Sequence, residues 1–373
     1  MNKIAKRVIE ASGGPADGTL DRFRGCLLGG AVGDALGAPV EFLSRAEILE
    51  QYGPAGVAGY APAYGGLGRI TDDTQMTLFT AEGLLQGWQS GCEDGSGSLV
   101  QATRRAYLNW LQTQEADAAP APVLDAVPVA SRLLQQGELY SRRGPGETCL
   151  ASLRAARASD APVENDRKGC GGLMRVAPAG LFFWRPLQAC SPRPAFRLAA
   201  ELAGLTHGHP TGQLAAGVLA VLVLSLVDGM RLPQALAIAK QILASQPGHE
   251  ETLRAIEHAE CLARSPIRRP EAIAALGEGW LAEEALAIAV YCALVSQAFE
   301  EGVVLAVNHD GDSDSTGAIT GQLLGALHGV EAIPPQWLEP LELRALISET
   351  ADQLHGYWSK SSDEAPRPVA TAP

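Results

Sequence analysis

The chain reads His309-Asp310-Gly311-Asp312-Ser313-Asp314-Ser315-Thr316 directly before a glycine-studded apolar run, in which Gly317, Gly321 and Gly325 recur at every fourth position. Residues four apart lie on nearly one face of a helix, so the three glycines predict a narrow stripe without side chains. Glycine costs about 1 kcal/mol against alanine inside a helix, and a repeated glycine therefore needs a structural reason. Close packing against another helix backbone is the reason that we infer.

A second stripe lies near the start of the chain, where glycines again recur at every fourth position, at 25, 29, 33 and 37. A glycine-rich composition is the alternative explanation, because the chain has 41 glycines, but regular spacing in two places disfavours it. We therefore predict that both helices lie at the centre of a bundle. This packing would bring Asp34 and Glu41 close to the acidic stretch.

The rest of the chain has many apolar runs of helical length and few alternations of period two. Leu78, Ala81 and Leu85 share one helical face, and the run 213–229 is apolar on every face, which predicts a buried helix. Other predicted helices cover 197–205, 233–245, 251–263 and 280–300. The predicted fold class is all-α: a single helical domain over 21–358, with an N-terminal arm over 1–20 and a disordered C-terminal tail over 359–373.

Composition limits the function. Of the 373 residues 46% are hydrophobic and 19% charged, which is typical of a well-packed globular protein. The formal charge of −13 argues against general nucleic-acid binding, which depends on clustered Lys and Arg. The seven cysteines contain no CxxC pair, and the N-terminus lacks the apolar region of a signal peptide. These features predict a cytoplasmic protein with free thiols and no membrane partner.

The acidic stretch has a distant counterpart in Thr71-Asp72-Asp73-Thr74, which also stands before an apolar run. Clustered carboxylates repel one another unless cations lie between them. We therefore predict one site for hard divalent cations, built from both segments, with all-oxygen ligands that favour magnesium, manganese or calcium over zinc. The candidate ligands are Thr71, Asp72, Asp73, Asp312, Asp314 and Ser315. Two such cations can assist hydrolysis by positioning a water and neutralising charge on an oxygen.

The same residues have a plainer explanation. Asp, Ser and Thr are the preferred N-cap residues, and acids near a helix N-terminus interact favourably with its dipole. Acidic segments are also common in solvated loops. The occurrence of two such segments, each before a helix poor in charge, favours the metal site over capping alone.

Two further motifs carry polar chemistry. The glycine-rich turn Lys168–Arg175 lets backbone N–H groups approach phosphate oxygens, although alone it also fits a simple turn. Cys170 within it has no evident paired base, which disfavours a nucleophile. His207 and His209 stand on a tight loop without a third nitrogen or sulfur ligand nearby, so contact with a ligand or loop anchoring is favoured over zinc.

Taken together, these motifs resemble the ADP-ribosylglycohydrolase family. The matching stretches follow in the family's order from about residue 21 to 330: Gly25–Gly37 with Glu41, Thr71–Met76, Gly171–Pro178, Thr206-His207 and Gly311–Thr316. Five ordered matches are far more specific than any one motif.

The resemblance implies an all-helical orthogonal bundle with two Mg²⁺, or Mn²⁺, in a central cleft, held by the six candidate ligands given above. It implies that ADP-ribose binds with its distal ribose at the metals and its phosphates at the glycine-rich loop. Gly169, Gly171, Gly172 and Met174 are the implied contacts there, and His207 is a ligand-facing residue. The implied reaction is hydrolysis of the bond between ribose C1″ and a modified protein side chain. The carboxylate of Glu41 or Asp73 would take a proton from the attacking water.

The chain also departs from the family's pattern. Cys170 stands where many relatives have Asn, and Ser315 stands where Thr is also common. A further acid that some arginine-directed members use has no clear match, since Asp117 and Asp125 fit poorly, so arginine is the preferred linkage but a less specific prediction than the hydrolysis. Two alternatives stay open: an immunity protein that binds an ADP-ribosylating toxin through residues 1–20, and a non-catalytic relative.

Overall fold

The computed structural model describes residues 18–90, 96–115, 131–158, 163–185 and 191–360. Nearly all of the expected N-terminal arm and C-terminal tail, together with Asp117 and Asp125, lie outside these ranges. Within them the chain is helical, and β-type pairing is limited to two isolated bridges, Ala63 with Gly66 and Gly169 with Leu281. The all-α prediction is confirmed.

Sixteen α-helices occur in the described ranges. They are α1 (Thr19–Gly37), α2 (Arg45–Tyr52), α3 (Asp72–Gln89), α4 (Ser96–Gln114), α5 (Glu147–Ala158), α6 (Ala177–Phe182), α7 (Pro192–Gly204), α8 (Pro210–Val227), α9 (Leu232–Leu243), α10 (Glu250–Ala263), α11 (Arg269–Leu276), α12 (Ala282–Val295), α13 (Phe299–Ala306), α14 (Ser313–His328), α15 (Pro335–Leu338) and α16 (Arg344–Lys360). Short 3₁₀ turns cover Leu133–Gln135, Gly137–Tyr140, Cys170–Gly172 and Val330–Ala332.

Helices α1 and α14 form the centre of the fold, and their glycines face one another in antiparallel order. A Cβ placed on Gly33 would lie 2.0 Å from the carbonyl oxygen of Gly317. A Cβ on Gly29 would lie 2.5 Å from the carbonyl oxygen of Gly321, and one on Gly25 would lie 2.4 Å from that of Gly325. We call these six residues the glycine seam. The predicted packing of the two stripes at the centre of the bundle is confirmed.

Helix α8 is the core helix expected from the apolar run 213–229. Among the described residues it is the one helix long and apolar enough to cross a membrane by length and composition, yet 89% of that window is buried inside the structure. It packs against α7, α9 and α14. Its apolar faces are therefore used in internal packing.

Three predicted boundaries differ from the structure. The single helix expected over 280–300 is wrong, because the backbone is extended at Ser296 and Ala298, between α12 and α13. The backbone N–H of Gln297 donates to Glu301 there, at 2.7 Å. Helix α16 continues to Lys360, two residues into the expected tail, and α1 begins at Thr19, within the expected arm.

Candidate active site

The two acidic segments meet at a cleft of about 150 Å³ at the N-termini of α3 and α14. Its buried carboxylates are Glu41, Asp72, Asp73, Asp312 and Asp314. Ser315 also lines the cleft, whereas Thr71 is fully buried and does not. The fold thus brings together residues that the sequence separates by more than two hundred positions.

Helix capping accounts for part of this arrangement. The Thr71 hydroxyl accepts from the backbone N–H of Asp73 at 3.3 Å, and the Asp312 carboxylate accepts from that of Ser315 at 3.2 Å. The cap explanation is therefore correct for Thr71 and Asp312. It does not explain Asp73, whose Oδ2 is buried without a hydrogen-bond partner.

Asp34 on α1 fixes the start of α3. Its carboxylate accepts from the backbone N–H groups of Thr71, at 3.0 and 3.1 Å, and of Thr74, at 3.1 Å. Burial raises its pKa to about 6, against these hydrogen bonds. The predicted closeness of Asp34 to the acidic cluster is confirmed. Its contacts hold the backbone at the start of α3, and so position Asp72 and Asp73.

Burial and like charge both act on the cleft carboxylates. Burial, followed by the nearby carboxylates of Asp312 and Asp72, raises the pKa of Glu41 to about 9. Burial, followed by neighbouring carboxylates, also raises the pKa of Asp72, Asp73 and Asp314 well above the usual range. Such an assembly is relieved by protonation or by a cation, because either removes the repulsion.

The donor atoms fit a hard cation in chemistry. They are carboxylate and hydroxyl oxygens, and Asp73 Oδ2 and Glu41 Oε2 are buried with no hydrogen-bond partner. In the described ranges, however, no group of three or more His, Cys, Asp or Glu side chains already stands in a metal-holding arrangement. Some of the oxygens are turned to protein donors instead, such as Asp312 Oδ2 to the Cys170 thiol at 2.7 Å. Cation binding would therefore require side-chain rotation.

The glycine-rich turn also lines the cleft, with Gly169, Cys170, Gly171 and Met174. The Cys170 N–H donates to the carbonyl of Trp280 at 3.0 Å, and the Ala282 N–H donates to that of Lys168 at 2.9 Å. The Lys168 ammonium is paired with Glu251, at 2.7 Å, and with Glu283. The turn is thus fastened to α10 and α12, and its lysine is occupied by these carboxylates.

The two histidines have different roles. His207 lines the cleft and packs on the glycine turn, where a Cβ on Gly172 would lie 3.1 Å from its Nδ1. Burial lowers the pKa of His207 to about 3. His209 instead caps α8, accepting from the Thr211 N–H at 3.1 Å. Loop anchoring is therefore correct for His209, while His207 faces the cleft.

Cys170 behaves as a hydrogen-bond donor. Burial, and then the Asp312 carboxylate, raise the pKa of its thiol well above the usual range. A thiol held in this way stays protonated, which agrees with the prediction that it is not the nucleophile.

Sequence reasoning missed an aromatic rim beside the cleft. The rings of Phe42 and Trp280 stack with centroids 5.9 Å apart and planes 19° apart, although the residues are 74% and 36% exposed. Trp280 lines the cleft, and Phe42 follows Glu41 in the chain. Gly144, at φ 65°, also escaped notice; a Cβ there would lie 3.3 Å from Glu41 Oε2 and 3.6 Å from Asp72 Oδ1. The only sequence signal was the position of Phe42 beside Glu41.

A larger cavity, of about 600 Å³, lies elsewhere, between α7, α8 and α9. Its walls include Arg193, Phe196 and Ile242, and none of the clustered carboxylates. Size alone therefore does not locate the chemistry, and the acidic cleft is the better candidate because its buried polar atoms lack partners.

Comparison with known proteins places the chain in a family. Residues 15–364 match the family model described as ADP-ribosylglycohydrolase. The chain is 26% identical to the ADP-ribosyl-[dinitrogen reductase] glycohydrolase of Rhodospirillum rubrum, over 87% of this chain and 91% of that protein. It is also 26% identical to the ADP-ribosylarginine hydrolase Tri1 of Serratia proteamaculans, over 91% and 80%. A solved structure described as an ADP-ribosylglycohydrolase-related protein complex superimposes with a TM-score of 0.66 at 29% identity, covering 90% of this chain and 98% of that one.

Proposed function

This chain belongs to the ADP-ribosylglycohydrolase family of hydrolases, and we propose that it removes ADP-ribose from a modified protein side chain, by preference arginine, with two Mg²⁺ or Mn²⁺ bound in the acidic cleft. The observation that carries the proposal is the meeting of two acidic helix starts at one cleft, with two carboxylate oxygens buried and unpartnered. The family match sets the reaction class, and this cleft supplies the matching chemistry.

The cluster of oxygen donors supports the metal assignment. Asp72, Asp73, Asp312, Asp314 and Ser315 present oxygens to the cleft, and Thr71 stands directly behind them as the cap of α3. When bound, the cations would supply positive charge that holds the ribose hydroxyls and a water. Gly37 packs on the backbone of Ser313 and Asp314, so the helix that carries half of the donors is held rigidly.

Glu41 and Asp73 are the proposed proton acceptors. In the reaction the water oxygen bonds to C1″ while the bond from C1″ to the side-chain nitrogen breaks. A carboxylate accepts the water proton, and the nitrogen leaves with the electron pair and takes up a proton. Glu41 Oε2 and Asp73 Oδ2 are both without a protein partner, so either has a lone pair free for this transfer.

Substrate binding is assigned to the glycine-rich turn. Gly169, Gly171, Met174 and His207 line the cleft and are the proposed contacts of the diphosphate. Gly172, proposed with them, is buried against His207 and does not line the cleft. The arginine linkage rests on the name of the Serratia relative, an ADP-ribosylarginine hydrolase. The alternative, a protein that neutralises an ADP-ribosylating toxin through residues 1–20, concerns a segment of which only residues 18–20 are described, and no contact of those three residues supports it.

The test is release of ADP-ribose from an arginine-ADP-ribosylated protein, measured with Mg²⁺ and with EDTA. We expect release with Mg²⁺ and its loss with EDTA. Release that is insensitive to EDTA would refute the metal assignment. If free ADP-ribose binds but none is released, the linkage is not arginine, and the same assay with other linkages follows.

A further inference from the structure

Arg175 is a buried charge without a counterion in the described part of the chain. Its guanidinium lies 4.3 Å from the centre of the Tyr107 ring and donates to Leu202 O at 3.3 Å and to Thr206 Oγ1 at 2.7 Å. Its remaining described contacts are to the sulfurs of Met76 and Cys149. An arginine buried among neutral groups is costly, so its position needs a reason beyond packing.

The bond from Arg175 to Thr206 determines where the threonine proton goes. A guanidinium can only donate, so the Thr206 oxygen is an acceptor in this contact. Its single proton then has three acceptors within reach: His207 Nδ1 at 2.8 Å, Ala203 O at 3.5 Å and the Cys149 sulfur, which is a weak acceptor. The contact with His207 is the strongest of these, and it makes His207 Nδ1 an acceptor.

An imidazole whose Nδ1 accepts carries its proton on Nε2. In the described ranges no protein group is hydrogen-bonded to His207 Nε2. This atom faces the glycine turn, since a Cβ on Gly169 would lie 3.4 Å from it. The ring is also held neutral, because burial and the positive charge of Arg175 lower its pKa to about 3.

We propose that Arg175 and Thr206 are positioning residues, which hold His207 in the tautomer with the proton on Nε2 so that it donates a hydrogen bond to a diphosphate oxygen of ADP-ribose. The inference rests on the proposed function and extends it to two residues that do not line the cleft. The opposite tautomer would present a bare nitrogen to the anionic oxygen, and two acceptors repel.

Nitrogen NMR of the histidine-labelled protein tests the tautomer directly, because protonated and bare ring nitrogens differ in chemical shift. The chain has seven histidines, and His207→Gln identifies the signal of interest. In the unsubstituted protein near neutral pH we expect Nε2 protonated and Nδ1 bare. A signal with Nδ1 protonated would overturn the proposal, whatever the activity of the enzyme.

Thr206→Val removes the hydroxyl at nearly constant volume, and Thr206→Ser keeps it. We expect Thr206→Val to give a mixture of tautomers and to weaken ADP-ribose binding about tenfold, with KM raised more than kcat is lowered. Thr206→Ser should restore both the tautomer and the affinity. An unchanged tautomer in Thr206→Val would refute the positioning of His207 by Arg175 and Thr206. If the unsubstituted protein has the expected tautomer but binds no ADP-ribose, the proposed function fails, while the control of the His207 tautomer by Thr206 stands.

Discussion

The glycine seam joins α1 to α14, the acidic cleft lies at the N-termini of α3 and α14, and the two regions differ in how their buried polar atoms are satisfied. Along the seam, a Cβ on any of the six glycines would lie only 1.9 to 2.5 Å from a backbone carbonyl oxygen of the facing helix. In the cleft, Glu41 Oε2 and Asp73 Oδ2 are buried with no partner. One region stabilises the fold by close fit, and the other keeps unmet interactions for a ligand.

The two regions are contiguous. Gly37 ends α1, and a Cβ on it would lie 2.2 Å from Ser313 O and 2.5 Å from the Cα of Asp314. Gly37 thus continues the close packing of the seam as far as the acidic start of α14 and fixes the distance between the two backbones there. Precision of this kind is what a ligand site needs, since small misplacements of donors cost much of their effect.

The largest expected effect comes from filling the seam. Gly33→Ala would place a Cβ 2.0 Å from Gly317 O, so the helices must separate, and we expect a loss of about 3 kcal/mol in the free energy of unfolding. Gly356→Ala in α16 is the matched control, because nothing lies within 4 Å of its Cβ position. It should gain up to about 1 kcal/mol from helix propensity. Urea unfolding measures both, and equal effects would contradict the role of the seam.

The cleft should respond in the reverse sense. Asp314→Asn replaces a buried carboxyl, whose ionisation burial and neighbouring carboxylates oppose, by a neutral amide, so the stability of the metal-free protein should stay the same or rise. Magnesium-dependent hydrolysis should fall at least about a hundredfold. Loss of a group that only supports a metal ligand already costs up to about a hundredfold in activity, and loss of a ligand should cost more. The control is Asp310→Asn in the same loop, which is exposed and can still accept from the Arg45 N–H. Hydrolysis assays and urea unfolding, run on both variants, would contradict the assignment if activity survived in Asp314→Asn.

The seam and the cleft carboxylates could be predicted from sequence because both depend on local signals. Glycines at every fourth position define a helical face, and acids before apolar runs define helix starts. Arg175 and Thr206 gave no such signal, since their contact joins segments with no shared pattern. The stacking of Trp280 on Phe42 could not be predicted for the same reason, because it depends on the conformation of two loops distant in sequence. The break at Ser296 was missed because the flanking segments keep helical composition.

The pH dependence of stability gives a smaller, graded test of the cleft. The pKa of Glu41 is near 4.5 unperturbed and about 9 in the folded protein, so the folded state binds this proton more tightly. Metal-free stability should therefore fall as pH rises across that window, by up to about 1.4 kcal/mol per pH unit for each proton. Asp34 adds to the fall between 3.8 and about 6.

Mg²⁺ should reduce this fall at the upper end of the window, because bound cations favour ionised carboxylates. The comparison is urea unfolding across pH, with Mg²⁺ and with EDTA. Glu41→Gln should make the metal-free curve less steep above about pH 6, where Asp34 is already ionised, while Asp72, Asp73 and Asp314 keep part of the fall. A metal-free stability that rises with pH through this range would show that the carboxylates are not destabilising the fold.

The smallest expected effect concerns the aromatic rim, which belongs to neither region. Phe42 is 74% exposed, so Phe42→Ala should change the free energy of unfolding by no more than about 0.5 kcal/mol. It stacks on Trp280, which lines the cleft, and we expect the protein part of a substrate to contact this aromatic pair. We expect Phe42→Ala to lower kcat/KM about threefold to tenfold on an ADP-ribosylated protein and to leave kcat/KM on free ADP-ribosyl-arginine unchanged.

Ile267→Ala, at another exposed apolar residue outside the cleft lining, is the matched control and should change neither value. Equal losses on both substrates would mean instead that the aromatic pair supports Glu41, and so the geometry of the cleft itself.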